Sequence, residues 1–209
     1  MIKIYGDSKT RAFRPLWALE EAGLDYESIP IDFLKGEHRS EEFLLKNPSG
    51  KVPVLVDGDF ILFESAAMCT YIGEKSSHSK LVPDPRSPAR YQYDQWMFFV
   101  MSELEQALWT MSKHKFALPK EWRVPNIFAT AKYEFSRSCR ALEAALEESQ
   151  FMVGNHFTFA DLMVAHTLKW AKLIGLELGS AHLESYLNLH WDRSPRKSTS
   201  SKFHSSEKA

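Results

Sequence analysis

The sequence predicts an α/β unit followed by an all-helical unit, and three observations carry that reading. Over the first 78 residues, short apolar runs alternate with stretches of helical periodicity. A Ser- and Pro-rich segment over 76–88 then interrupts the chain. Beyond it, apolar residues recur only at helical spacing, and strand signals stop. Hydrophobic residues make up 44 % and charged residues 25 % of the 209. That suits one or two packed domains and argues against a disordered chain.

Residues 2–5 read as the first strand and 11–22 as the first helix, with Phe13, Leu16, Trp17 and Glu20 at helical spacing. Gly23 follows where a C-terminal cap belongs. Pro15 is expected to cost this helix one backbone hydrogen bond and to bend its first turn. Residues 26–31 form a second strand, which a helix between them makes parallel to the first. A short helix is predicted over 40–46. The runs 52–56 and 60–63, joined through Asp57-Gly58-Asp59, signal a hairpin, and 65–74 is helical again. These elements form a domain over 1–78. Pro83, Pro85 and Pro88 stiffen a linker over 79–87, and an all-helical domain over 88–190 follows, with helices predicted over 91–114, 127–150 and 159–174. The last nineteen residues hold six Ser and one Thr. That composition predicts a disordered, dispensable tail over 191–209.

Charge is uneven along the chain. Residues 1–78 carry nine Lys/Arg against thirteen Asp/Glu, residues 79–190 twelve of each, and the last nineteen five against two. No segment is basic enough for a duplex-binding surface, so nucleic acid is not an expected partner. The longest apolar run, 97–101, falls far short of the roughly 18 residues that span a bilayer, so no membrane segment is expected. The N-terminus has no charged head before an apolar stretch, hence no expected leader peptide. Cys69 and Cys139 lie in helical patterns and make no disulfide framework, which points to a reducing, cytoplasmic setting. Glycine-rich phosphate loops, nucleophile elbows and clustered metal ligands do not occur, and no bound metal is expected.

Three short motifs carry candidate chemistry. In Lys51-Val52-Pro53-Val54 a proline meets a strand it cannot hydrogen-bond into, marking an edge or a place where a ligand takes over the pairing. With a cis Val52–Pro53 bond, the Val52 backbone N–H and C=O turn outward. Glu64-Ser65 stands between strand and helix. Ser65 is expected as the N-cap, the unpaired N–H groups behind it suit a carboxylate, and Glu64 suits an ammonium. Plain capping explains the pair equally well. Thr10 opens the first helix, where its hydroxyl either caps or donates to an anion, with Ser8 as the alternative for either role. A fourth motif, Thr158-x-x-Asp161 flanked by Phe157 and Leu162, reads as a structural capping box with a hydrophobic staple.

The order and spacing of these motifs resemble the cytosolic glutathione transferase superfamily, in a bacterial, theta- or beta-like form. The stretch from Thr10 through Gly23 looks like that family's first helix. Gly36-Glu37-His38 followed by Asn47-Pro48-Ser49-Gly50-Lys51-Val52-Pro53 is similar to a theta-like segment that holds the glycyl end of glutathione. Glu64-Ser65 matches the γ-glutamyl site, and 157–161 the capping box of the helical domain. The resemblance covers residues 1 to about 190, and it implies a thioredoxin-like first domain, glutathione as co-substrate, a homodimer, and a small-molecule electrophile.

Carried over residue by residue, the resemblance implies that Val52 pairs its backbone with the cysteinyl part of glutathione beside cis-Pro53. Glu64 and Ser65 would hold the γ-glutamyl amine and carboxylate, and His38 and Lys51 the glycyl carboxylate. Thr10, standing where the family has Ser, Cys or Tyr, would stabilise the thiolate. That departure keeps a second reading open, a non-catalytic binding or partner-interaction protein on the same fold. Thiol–disulfide exchange is disfavoured, because neither cysteine lies near the start of the first helix. Tyr93, Trp96, Met97 and Val100 form a stripe that would line an electrophile pocket or serve simply as core.

Overall fold

The computed structural model describes residues 1–76, 80–147 and 149–204. The chain divides into two compact units, Met1–Val82 with Asp192–Ala209, and Pro83–Trp191. Residues 77–79, in the expected boundary segment, lie outside the described residues.

The first unit is a four-stranded sheet in the order β2-β1-β3-β4. β1 (Ile2–Tyr5) pairs parallel with β2 (Tyr26–Ile29), antiparallel with β3 (Val54–Asp57), and β3 pairs antiparallel with β4 (Phe60–Phe63). Helix α1 (Phe13–Ala22) buries Leu16, Trp17 and Leu19, and α3 (Ser65–Lys75) buries Met68, Cys69 and Ile72. Gly23 is left-handed at φ 64°, and the Leu24 N–H returns to the Leu19 carbonyl at 3.1 Å, closing α1 as expected. Pro15 behaves differently from expectation. The helix begins at Phe13, so Pro15 occupies its third position, where an N–H has no intrahelical acceptor to lose. The short helix α2 (Glu41–Lys46) is capped by Ser40, whose hydroxyl accepts from the Phe43 N–H at 3.2 Å. Strand β3 begins two residues later than predicted, and Pro53 stands just before its ladder.

The expectation of a disordered tail is overturned for the described residues. Helix α9 (Ser194–His204) packs on α1. The hold is ionic: Arg193 meets Glu21 through Nε at 2.6 Å and Nη2 at 2.7 Å. Ser198 and Lys202 both donate to the Glu20 carboxylate. A tail poor in apolar residues looks disordered because nothing local shows the two carboxylates waiting on α1. Residues 205–209 lie outside the described residues. Arg193→Ala is expected to lower stability by about 2 kcal/mol, since it takes the cation from a Glu21 side chain only 3 % exposed and leaves it the Trp17 indole N–H at 2.9 Å. A melting temperature within one degree of the parent would show the contact idle. Acid should also release α9. Burial pushes the Glu20 carboxyl up, but hydrogen bonds from Lys202, Tyr26 and Ser198 and the Lys202 charge outweigh it and hold it below its ordinary value. A depressed carboxyl stabilises above its unfolded pKa, about 4.3, and that contribution fades as pH falls through the lower folded value. Protease cleavage of the tail, followed from pH 7 to 3, should accelerate over that range.

The second unit is helical. Helix α4 (Pro88–Phe99) starts from Ser87, whose hydroxyl accepts from the Arg90 N–H at 3.1 Å, with Pro88 at the first helical position. The helix predicted over 91–114 is not one regular element. A wide turn over Val100–Leu104 separates α4 from α5 (Glu105–Ser112), and Ser102 bonds back to the Phe98 carbonyl there. Helix α6 (Ile127–Leu146) buries Ala131, Phe135, Cys139, Leu142 and Leu146 along one stripe. Helix α7 (Phe159–Leu173) is buried nearly all round and forms the centre of the unit. Helix α8 (Ala181–Trp191) was not among the predicted elements. At the start of α7 the Asp161 carboxylate accepts from the Thr158 N–H at 2.8 Å, the Met152 N–H at 2.7 Å and the Tyr186 hydroxyl at 2.6 Å. Phe157 and Leu162 are buried beside it.

Candidate functional site

The sheet register gathers the three motifs. Tyr5 lies opposite Val54, and Val54 opposite Phe63. The next residues outward on the three strands are Gly6, Pro53 and Glu64, so all three motifs sit at one end of the sheet. Gly6 makes this possible. Its φ is 119°, and a Cβ there would stand 2.9 Å from Ala12 Cβ and 3.0 Å from Val52 Cβ. Only glycine lets the first loop approach Val52 so closely.

The Val52–Pro53 bond is cis, as expected, and Pro53 is buried. Asn47, itself 2 % exposed, shapes the segment leading into it. Its amide donates to the Lys51 carbonyl at 2.7 Å, and its oxygen accepts from the Ser49 N–H and hydroxyl. At Gly50, φ 62°, an added Cβ would lie 3.0 Å from the His38 carbonyl oxygen. The turn therefore holds the His38 segment against Gly50 and Lys51. His38 Nδ1 is buried with no hydrogen-bond partner among the described residues, while the Lys51 side chain is exposed.

The structure corrects the capping expectation at Glu64-Ser65. Glu64, not Ser65, is the N-cap of α3, and it makes no side-chain cap bond. Its φ of 73° and ψ of 108° hold a non-glycine residue in strain of about 1–3 kcal/mol, a cost that clusters where ligands bind. Ser65 becomes the first helical residue and is 2 % exposed. Its hydroxyl oxygen accepts from Arg14 Nη1 at 3.2 Å, and its own proton has no acceptor among the described residues.

Thr10 is committed within its own loop. Its hydroxyl donates to the Asp7 carbonyl at 2.8 Å and accepts from the Ala12 N–H at 3.1 Å. The Ser8 hydroxyl makes no hydrogen bond among the described residues. Burial pushes the Cys69 thiol up to about 12, against the opposing Arg14 charge, and burial pushes the Cys139 thiol up to about 12 as well. Neither is a thiolate at neutral pH. In the helical unit Tyr93, Met97 and Val100 are buried and Trp96 half-buried. Among the described residues no group of three or more His, Cys, Asp or Glu is placed to hold a metal ion, and no helix is long and apolar enough to cross a membrane. Sequence reasoning gave Arg14 no role, and it placed Asn47 in the glycyl segment without the turn-holding role seen here. The signal for Arg14 was a cation inside a helical stretch otherwise made for the core.

A four-stranded mixed sheet of thioredoxin type, followed by a helical unit, defines the class of protein. The family described as Glutathione S-transferase, N-terminal domain, matches residues 2–74, and the family described as Glutathione S-transferase, C-terminal domain, matches residues 125–195. This chain belongs to the cytosolic glutathione transferase superfamily. It is 31 % identical over 199 residues to glutathione S-transferase hmp2 of Hypomyces subiculosus, covering 91 % of this chain and 90 % of that one. It is 29 % identical over 206 residues to glutathione S-transferase F9 of Arabidopsis thaliana, covering 92 % and 91 %. The structure of glutathione transferase URE2P6 from Phanerochaete chrysosporium, in complex with oxidized glutathione, superposes with a TM-score of 0.85 at 26 % identity, over 98 % of this chain and 96 % of that one. These relatives are plant and fungal proteins, and they do not establish the bacterial, theta- or beta-like subtype.

Proposed function

We propose that the chain binds glutathione and adds its thiolate to an electrophilic carbon of a small apolar substrate. The observation that carries this reading is the α3 N-terminus, where Ser65 presents a buried hydroxyl proton with no acceptor among the described residues. A carboxylate there would take that proton and the first N–H groups of α3. Glu64 would hold the neighbouring ammonium, the Val52 backbone would pair with the peptide beside Pro53, and His38 and Lys51 would take the glycyl carboxylate. Glutathione loses its thiol proton to solvent, the sulfur lone pair forms the new C–S bond, and a leaving group such as halide departs with the electron pair of the bond that breaks. The exposed Phe60, Ile61 and Phe63 of β4 support a homodimer, which light scattering in solution would test. Two buried thiols suit a reducing, cytoplasmic setting.

Thr10 is the proposed thiolate donor. Rotation about its C–O bond redirects the proton from the Asp7 carbonyl to sulfur while the oxygen keeps the Ala12 N–H. That commitment to Asp7 is also what favours the second reading, a binding protein without turnover. Turnover of glutathione with an aryl halide, and thiolate absorbance against pH, decide between them. Thr10→Ala should slow the chemical step on the order of 10²-fold and raise the bound thiol pKa, with binding little changed. Thr10→Ser should retain activity, and Ser8→Ala should be near neutral. A thiolate lost only with Ser8→Ala would move the role to Ser8. Absence of any thiolate in the parent at neutral pH would favour the binding protein.

A further inference from the structure

Arg14 lies on α1, far from Ser65 in the sequence, yet its side chain is wholly buried and its Nη1 reaches Ser65 Oγ at 3.2 Å. A guanidinium keeps its charge at any pH where the protein is folded. A seryl hydroxyl has one proton and two lone pairs. With its oxygen accepting from a cation, Ser65 keeps its proton for a ligand and becomes a more polarised donor. We propose that Arg14 is the positioning residue of the carboxylate end of the site. It holds the Ser65 hydroxyl as a donor and adds a buried positive charge behind the unpaired N–H groups of α3. The site then selects an anion, which neither the serine nor the helix end alone would ensure. The opposing effect of Arg14 on the Cys69 thiol, one turn along α3, is consistent with a charge felt along that helix. This inference rests on the reading of Ser65 as the partner of the γ-glutamyl carboxylate.

The test is calorimetric titration with two peptides, glutathione and the analogue whose γ-glutamyl carboxylate is a carboxamide. The parent should prefer glutathione. Arg14→Met should weaken glutathione roughly tenfold or more and leave the carboxamide peptide unchanged, because only the charged partner is lost. In the Arg14→Met, Ser65→Ala double variant the losses should be less than additive. Arg14→Lys retains the charge without the planar fork and should fall between parent and Arg14→Met. It also serves if Arg14→Met does not fold, since parental discrimination in Arg14→Lys with strictly additive losses in its Ser65→Ala double variant overturns the proposal. Equal weakening of both peptides by Arg14→Met marks a merely structural role and overturns it too. A parent that binds both peptides equally removes the carboxylate reading of Ser65 and the role of Arg14 with it. A parent that discriminates while Arg14→Met still discriminates leaves the Ser65 reading standing and removes Arg14 alone.

Discussion

Asp161→Ala is expected to cost about 3–5 kcal/mol of stability, the upper end of what one side chain contributes. The Asp161 carboxylate is wholly buried and accepts from the Thr158 and Met152 N–H groups and the Tyr186 hydroxyl, all within 2.8 Å. With the Thr158 hydroxyl, which also donates to this carboxylate at 3.1 Å, alanine deprives four buried donors of their acceptor, each costing about 1–3 kcal/mol to desolvate, partly recovered by local relaxation. Because α7 is buried nearly all round, the loss should appear as unfolding of the whole helical unit. Asp161→Asn keeps one acceptor oxygen and should lose about half as much. Urea unfolding followed by tryptophan fluorescence measures both. A loss below about 1 kcal/mol for the alanine variant would mean water replaces the carboxylate, contrary to the burial.

Gly6→Ala is expected to cost about 3 kcal/mol and to weaken glutathione binding as well. The backbone at φ 119° is strained for any L side chain, and the added methyl meets Ala12 and Val52 at 2.9 and 3.0 Å. Neither neighbour can withdraw easily: Ala12 opens α1, and Val52 leads into Pro53 at the sheet end. Ala12→Gly in the same chain should recover the part due to that one clash and no more, since the backbone strain remains. Denaturant unfolding and glutathione titration of the single and double variants separate the two contributions. Unchanged stability in Gly6→Ala would show that the first loop is free to move away from Val52.

Much of the fold was legible because its signals are local. Gly23, the Asp57-Gly58-Asp59 turn and Thr158-x-x-Asp161 each act through neighbours a few residues away. The candidate site was legible as three motifs, and the register of β1, β3 and β4 explains why they lie at one end of the sheet. What the sequence hid was long-range and charged. Arg14 is a cation in a helical stretch otherwise made for the core, and its contact with Ser65, 51 positions away, is invisible to any local reading. The tail reads as solvent-loving because its cations find Glu20 and Glu21 more than 170 positions away. Ser65 itself was displaced by one position, since Glu64 adopts a backbone conformation that propensity argues against.

The return of α9 to α1 gives the order of synthesis a consequence. The first unit is made of the first 82 residues and the last few, with the entire helical unit inserted between them. At about 5–20 residues per second, α1 emerges from the ribosome and waits on the order of ten seconds before its covering helix exists. During that interval Glu20 and Glu21 face solvent as two adjacent uncompensated carboxylates. Docking of α9 on α1 can therefore begin only after the whole helical unit between them has been made.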